Sequence, residues 1–587
     1  MRYGCLWLAL AAGGWGLLVA TTGGVAWASG PVRFSSTDPV RPLAAALGCV
    51  LCHLLWFGRV DVPRVAQWLV PRLAPLAVLL RPHTLAIAGT MAVVVVGVVF
   101  GVDAVGGTDS YGYASQARLW RAGRLVVEQP FVGEWGWPYA AATATPPGYV
   151  ATGAGGTVVP MYPPGFPLVL AAAESIGGAE AVFLVVPLLA GLAVWLTFLL
   201  GRRVGDDVVG LIAAFWLMTS PAFLFMLLAA PMSDIPAMTW WLLSVVLVLR
   251  DGRSGTLLLS GASAVLAILT RPNLAGLAVV MPALIGLRAT MVGTAVSTAV
   301  STAVRRGAVW MVPALVGPVV VAWLNNHLYG SPWASGYGPV ADFFGWEYVG
   351  RNARLYASTL IESQTPVLVA ALAAPLALAW AGRDRVSVAT ACWCLLFAAA
   401  VVGSYLGYYL FEAWFWTLRF VLPSYPMLLV AAAVTVVTVA NRLRPAGLVV
   451  LGVLVVLVGR QSLQFANPEW LRAIAQQEYR YREAGEQLRV LPADAVVLAE
   501  MHSGSARYYA NVVTLRFNQI DPLWLDRVVA ELTASGRPVF AVLEPMELEP
   551  FRSRFSGGSA LRWLQADPIE VTSRGVAIYA VAATASR

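Results

Sequence analysis

The sequence predicts a mainly α-helical protein crossing a membrane about thirteen times. Interfacial helices are expected in its first large extracytoplasmic loop, and a small α/β domain at its C-terminal end. Three observations carry that prediction. The 587 residues are 59% hydrophobic and only 12% charged, too few charges to cover a folded surface in water, where about a quarter is usual. Long runs lack Asp, Glu, Lys and Arg altogether: Thr84–Val102, Ala181–Gly201, Val208–Ser233, Gly307–His327 and Val421–Ala440. The arginines between the apolar stretches recur on alternate loops, as the positive-inside rule requires.

A span needs about 20 apolar residues in a helix whose backbone satisfies its own hydrogen bonds. On that measure the spans fall at about 5–28, 42–58, 84–102, 179–200, 208–230, 235–249, 256–270, 273–288, 307–325, 365–381, 386–410, 421–440 and 446–459. The alternative for the first is a signal peptide cleaved after Ala26-Trp27-Ala28, for which its apolar region is long. The pair at 256–270 and 273–288, broken by Arg271-Pro272, reads as two tight spans or one kinked region. Every basic residue is arginine, and the net charge is +8. Because these arginines sit in short loops (Arg59, Arg64, Arg72 and Arg81; Arg202 and Arg203; Arg250 and Arg253; Arg288, Arg305 and Arg306; Arg383 and Arg385; Arg442 and Arg444), they mark the cytoplasmic side and no nucleic-acid partner is implied. The five cysteines lie in apolar segments, without a metal-ligand pattern or a disulfide framework.

Three parts follow. Residues 1–82 hold two extra spans and a cytoplasmic loop, 83–460 a transmembrane core with the loop 103–178 outside, and 461–587 an extracytoplasmic α/β domain. The last reads as helix Pro468–Arg489, strand Ala495–Glu500, helix Pro522–Ser535, strand Pro538–Glu544 and strand Val576–Ala582. The Thr-Ala-Val-Ser repeat over Thr294–Val304 reads as a cytoplasmic linker or helix extension.

In the first loop, Thr108 or Asp109 can cap a helix that puts Tyr113, Ala117 and Trp120 on one face and Arg118 and Arg121 on another. That pattern suits a helix lying in the membrane interface. Tyr162-Pro163-Pro164-Gly165-Phe166-Pro167 then opens an apolar run of about 14 residues, too short to span. Further along come Ser233-Asp234-Ile235-Pro236, Leu269-Thr270-Arg271-Pro272, Tyr329-Gly330-Ser331-Pro332 and Arg419-Phe420-Val421-Leu422-Pro423.

In order, spacing and sidedness these motifs resemble those of the GT-C superfamily of membrane glycosyltransferases, which includes protein O-mannosyltransferases and the aminoarabinose transferase of lipid A. The similarity covers about 84–430, so the two preceding spans look like an addition. The resemblance implies a bacterial inner-membrane transferase with its C-terminal domain outside. It would use a polyprenyl-phosphate sugar donor and invert the anomeric carbon, its acceptor being a lipid, glycan or protein. It makes Asp109 the candidate base and Asp234 a second catalytic candidate, which orients the acceptor, helps a metal or only caps its helix. It makes Tyr113, Tyr162, Arg271 and Arg419 candidates for substrate binding.

The chemistry is consistent with this. A phosphate leaving group needs no general acid, so one carboxylate suffices to take the acceptor's proton, and arginine offers a fixed fork to the departing phosphate. A divalent ion is left open. His327, beside Asn325 and Asn326, reads as an interfacial polar cluster, and Met501-His502-Ser503 as a turn after a strand, lacking the Gly-x-Ser-x-Gly elbow of a hydrolase. The rival class is a transporter or lipid flippase, which tends to carry ionisable groups at the bilayer midplane and to show two related halves. The spans here are nearly charge-free and no duplication is evident.

Overall fold

The computed structural model describes residues 81–582 except 153–155, 230, 251–252, 291–295, 411–414, 444 and 557–559, and before them the helix Val40–Phe57, strands β1 (Val25–Ser29) and β2 (Val32–Ser36), Asp38 and parts of 8–19. Arg59, Arg64 and Arg72 lie outside the described residues.

Six described helices are long and apolar enough to cross a membrane, or eight if each of two bent pairs counts as one span. The expected thirteen are not reached by that measure. Several expected spans are shorter helices, such as Ser254–Thr270, and others are broken. The span expected over 208–230 bends by 57° between Asp207–Met218 and Pro221–Leu228, because Pro221 supplies no N–H to continue the ladder. That expected over 365–381 starts after a 108° bend, where Thr365 is held at φ 70° before Pro366. The N-terminal span is also corrected. β1 pairs antiparallel with β2 from Val25↔Ser36 to Ser29↔Val32, so the helix expected over 5–28 does not run to its end. Gly23-Gly24 precede β1, and each glycine weakens a helix by about 1 kcal/mol. The Thr-Ala-Val-Ser repeat is a helix extension, within Val296–Ala314.

Burial sorts the helices. Leu422–Arg442 and Ala179–Val204 are mostly buried and form the centre. Pro82–Phe100 is mostly exposed and turns Val95, Val98, Val99 and Phe100 outward. An apolar helix uncovered by protein is what a lipid-facing position demands.

A hairpin of β3 (Tyr149–Thr152) and β4 (Thr157–Pro160) lies in the first loop. The C-terminal region folds as a five-stranded sheet of β5 (Val496–Leu498), β6 (Val513–Leu515), β7 (Val539–Leu543), β8 (Glu570–Val571) and β9 (Ala577–Ala582). Their order is β6-β5-β7-β9-β8, with the first three parallel and β9 antiparallel to both neighbours. Alternation sends Val497, Phe540 and Val542 to one face, where Ala484 of helix Pro468–Gln487 and Leu488 just after it join them. Val496, Leu498, Val539 and Ala541 go to the other, packed on Val528 and Leu532. Val132, Trp137 and Ala144 of the first loop belong to that second core. Loop and sheet are therefore one packed body at the end of the helical bundle.

Candidate active site

Each of the two aspartates opens a helix at that end. Asp109 is the first residue of Asp109–Arg121, and Asp234 of Asp234–Arg250. Thr108 makes no side-chain cap bond. Asp109 does not cap either. Its Oδ1 accepts a 2.6 Å hydrogen bond from the Tyr162 hydroxyl, and its Oδ2 accepts one of 3.1 Å from Arg419 Nη2. About a quarter of each side chain in the Asp109–Arg419 pair is exposed, so the pair faces outward.

The second pair is nearly dry. Arg271 Nη2 donates to Asp234 Oδ1 at 2.5 Å, with side-chain exposures of 10% and 2%. Arg271 ends the helix Ser254–Thr270 because the following Pro272 disfavours helical torsions at the residue before it, which stands at φ −141°, ψ 86°. Its other fork nitrogen donates to the Tyr405 hydroxyl at 3.0 Å. Phe420 lies between the two cations, 5.0 Å from the Arg419 guanidinium and 5.6 Å from that of Arg271. The four charges are within electrostatic reach of one another and sum to zero.

Tyr113 donates to or accepts from Ser233, the neighbour of Asp234, at 2.9 Å, and its ring lies 4.5 Å from that of Tyr162. The aromatic pair thus bridges the two aspartates. The Pro163-Pro164-Gly165 turn leads into the helix Gly165–Gly177, which starts directly on the chain before Arg271. A Cβ on Gly165 would lie 2.4 Å from the Thr270 nitrogen. This contact sets the separation between Tyr162 and Arg271.

All six residues singled out in the sequence, Asp109, Tyr113, Tyr162, Asp234, Arg271 and Arg419, converge. Sequence reasoning had Ser233 and Phe420 only as motif neighbours without a role, and missed Tyr405 and Tyr337, whose ring is 5.9 Å from Tyr162. The aromatic run Tyr405 to Tyr409 beside a span end was the available signal. The helix Asp109–Arg121 is more buried than an interfacial helix. Tyr113 and Ala117 join the bundle core, while Arg118 stacks 3.5 Å over Tyr508 and pairs with Glu174 at 3.4 Å. His502 is fully buried and paired with Glu544, outside this site, and His327 stacks on Trp323.

The residues present do not fit a resident divalent ion. Among the described residues no three His, Cys, Asp or Glu side chains converge. Both Asp109 oxygens already accept hydrogen bonds, and Asp234 is engaged by Arg271.

The fold of this bundle has known counterparts. Residues 121–227 match the family model described as oligosaccharyl transferase STT3, N-terminal. The Archaeoglobus fulgidus oligosaccharyltransferase in complex with Zn and sulfate superposes with a TM-score of 0.52 at 12% identity, over 80% of this chain and 69% of that one. ArnT from Cupriavidus metallidurans in the apo state gives 0.50 at 14%, over 85% and 97%. The same ArnT bound to undecaprenyl phosphate gives 0.48 at 14%, over 85% and 98%. No curated protein matches by sequence. The protein is thus an integral membrane protein with the fold of the GT-C glycosyltransferases, the superfamily its motifs resemble. Within that fold its similarities run both to the oligosaccharyltransferase and to ArnT.

Proposed function

We propose that the protein is a glycosyltransferase that moves a sugar from a polyprenyl-phosphate donor to an acceptor hydroxyl or amide on the extracytoplasmic face, with inversion. The observation that carries the reading is the Asp109–Arg419 pair, partly open and braced from below by the dry Asp234–Arg271 pair. The reading requires the donor to enter between them, so that Asp109 faces the attacking acceptor and Arg419 the departing phosphate.

In this mechanism the acceptor heteroatom attacks the anomeric carbon from the face opposite the phosphate. The new bond forms as the bond from carbon to phosphate oxygen breaks. The electron pair leaves with the phosphate, and the acceptor's proton passes to Asp109. Arg419 and the fork of Arg271 stabilise the charge that builds on the leaving oxygen. The Tyr162 hydroxyl, bonded to Oδ1, keeps the carboxylate turned. Asp234 acts through Arg271, holding its guanidinium in place. Sugar and acceptor are set by parts of the surface that these residues do not define.

The arginine map supports an orientation with the C-terminal region outside, and the resemblance supports a bacterial inner-membrane location. The chain's division is into 1–82, 83–460 and 461–587.

The test is donor screening with purified protein in liposomes, read by product mass spectrometry, on the wild type and Asp109→Asn. Asn keeps an oxygen for Tyr162 but cannot take a proton. The expected result is product from the wild type and a loss of about 10³-fold or more in the variant. Wild-type transfer by a folded Asp109→Asn protein would remove Asp109 as base.

A further inference from the structure

The C-terminal sheet carries a feature that sugar transfer by itself does not call on. From β5 the chain crosses to β6 on one side and then to β7 on the other, so the carboxyl ends of β5 and β7 flank a topological switch point. In open α/β sheets that crevice is where ligands bind. Here it is filled by the protein's own side chains. After β5 comes His502, whose Nε2 is 3.0 Å from Oε1 of Glu544, the residue after β7. Arg480 Nε donates to the same oxygen at 2.7 Å, and its Nη2 donates to the Tyr481 hydroxyl at 3.0 Å. The Tyr481 ring lies 5.0 Å from that of His502.

The root of the Tyr481 side chain meets Gly106. A Cβ there would lie 2.1 Å from Tyr481 Cγ, so the two are in direct contact and no side chain fits at 106. Gly107 follows at φ 59°, a left-handed torsion that glycine adopts without strain, and two residues later Asp109 begins its helix. The strands of contact run on either side. Arg482 Nη1 donates to the Asp103 carbonyl at 3.1 Å, and the Val105 N–H donates to the Tyr509 hydroxyl at 2.8 Å. Since Thr108 supplies no side-chain cap, the helix start is aimed by the segment before it.

We infer that Tyr481, locked at the sheet's switch point by Arg480, Glu544 and His502, is a positioning residue that sets the aim of Asp109. The C-terminal unit is on this view part of the catalytic apparatus, acting without touching substrate. The inference rests on the reading of Asp109 as the base, and its test separates the two.

The experiment compares the full-length wild type, Gly106→Ala, Tyr481→Ala and the double variant by transfer kinetics and by hydrogen exchange over 103–112. A misplacement of about 1 Å at a reacting group costs about 10²-fold, so Gly106→Ala should lower kcat by about that factor. KM for the lipid-phosphate donor should stay put, because Arg419 and Arg271 are untouched. Exchange over 103–112 should speed up. In the double variant the methyl no longer meets a ring, so kcat and protection should match those of Tyr481→Ala alone and not fall further. Tyr481→Ala alone should also lower kcat at constant KM, which covers the case of a Gly106→Ala protein that does not fold. Wild-type kcat and exchange in either single variant overturns the inference, as does a double variant whose loss is the product of the two single losses. A wild type inactive with every donor overturns the transferase reading, while the exchange data still decide the clamp.

Discussion

Two ion pairs a few ångströms from the same phenyl ring should lose very different amounts of stability on the same truncation. Asp234 is 1% exposed and its partner Arg271 is 9% exposed. Arg271→Met keeps the volume of the stem but strands a carboxylate in a dry site, a change that costs about 3–5 kcal/mol. Arg419→Met leaves Asp109 with a quarter of its side chain in solvent and the Tyr162 hydroxyl still bonded. Water and that bond absorb most of the loss, and the cost falls to about 1 kcal/mol. Activity should not follow stability, since both variants lack a cation for the leaving phosphate. The assay is thermal unfolding in one detergent at one pH, with transfer rates measured in parallel. A third protein, Asp234→Asn with Arg271→Met, removes both charges and should recover most of the lost stability but no transfer. The reasoning is refuted if Arg271→Met unfolds with the wild type, or if Arg419→Met is the less stable of the two.

Tyr162→Phe removes the 2.6 Å bond to Asp109 and should slow transfer about tenfold at saturating donor, the value of one hydrogen bond to a charged group; an unchanged initial rate would show that the hydroxyl does not orient the base. Gly165→Ala drives a methyl to 2.4 Å from the Thr270 nitrogen and 2.5 Å from the Leu269 carbonyl carbon; overpacking of this kind costs about 1–3 kcal/mol, and a thermal midpoint at or above the wild type's would contradict the close contact. In the C-terminal unit, burial pushes the Glu547 carboxyl up from 4.5 to about 7. A raised carboxyl stabilises the fold below its unfolded value and loses that contribution as pH climbs through about 7. Compared with Glu547→Gln, the wild type should therefore be relatively more stable at pH 5 than at pH 8; parallel pH dependence in the two proteins would exclude this assignment.

Much of the site was legible in the sequence because its residues sit at helix ends that announce themselves. Asp109 and Asp234 follow cap-like residues, Arg271 precedes a proline, and Arg419 stands in an aromatic belt. What could not be read is contact across distance. Tyr405 meets Arg271 from 134 residues away, and nothing local in either segment specifies the meeting. The union of first loop and C-terminal sheet was hidden for the same reason, though Trp135 and Trp137 in a loop otherwise rich in polar and small residues mark an apolar surface in need of cover. β6 was missed because three residues are too few for a period of two to show. β1 was taken into a span because valine, alanine and tryptophan serve a strand as well as a membrane helix. Hydropathy measures apolarity and is silent on which backbone carries it.

The distances along the chain between partners bear on how such a protein is made. Arg419 reaches back 310 residues to Asp109, and Tyr509 reaches back 404 to Val105. During synthesis Asp109 therefore leaves the ribosome long before Arg419 beside it, and longer still before the sheet that grips its loop. A nascent or truncated chain inserted in the bilayer carries Asp109 without its companions. The C-terminal unit thus completes the contacts around the first loop last: until it has folded, the segment before Asp109 lacks its bonds with Arg482 and Tyr509.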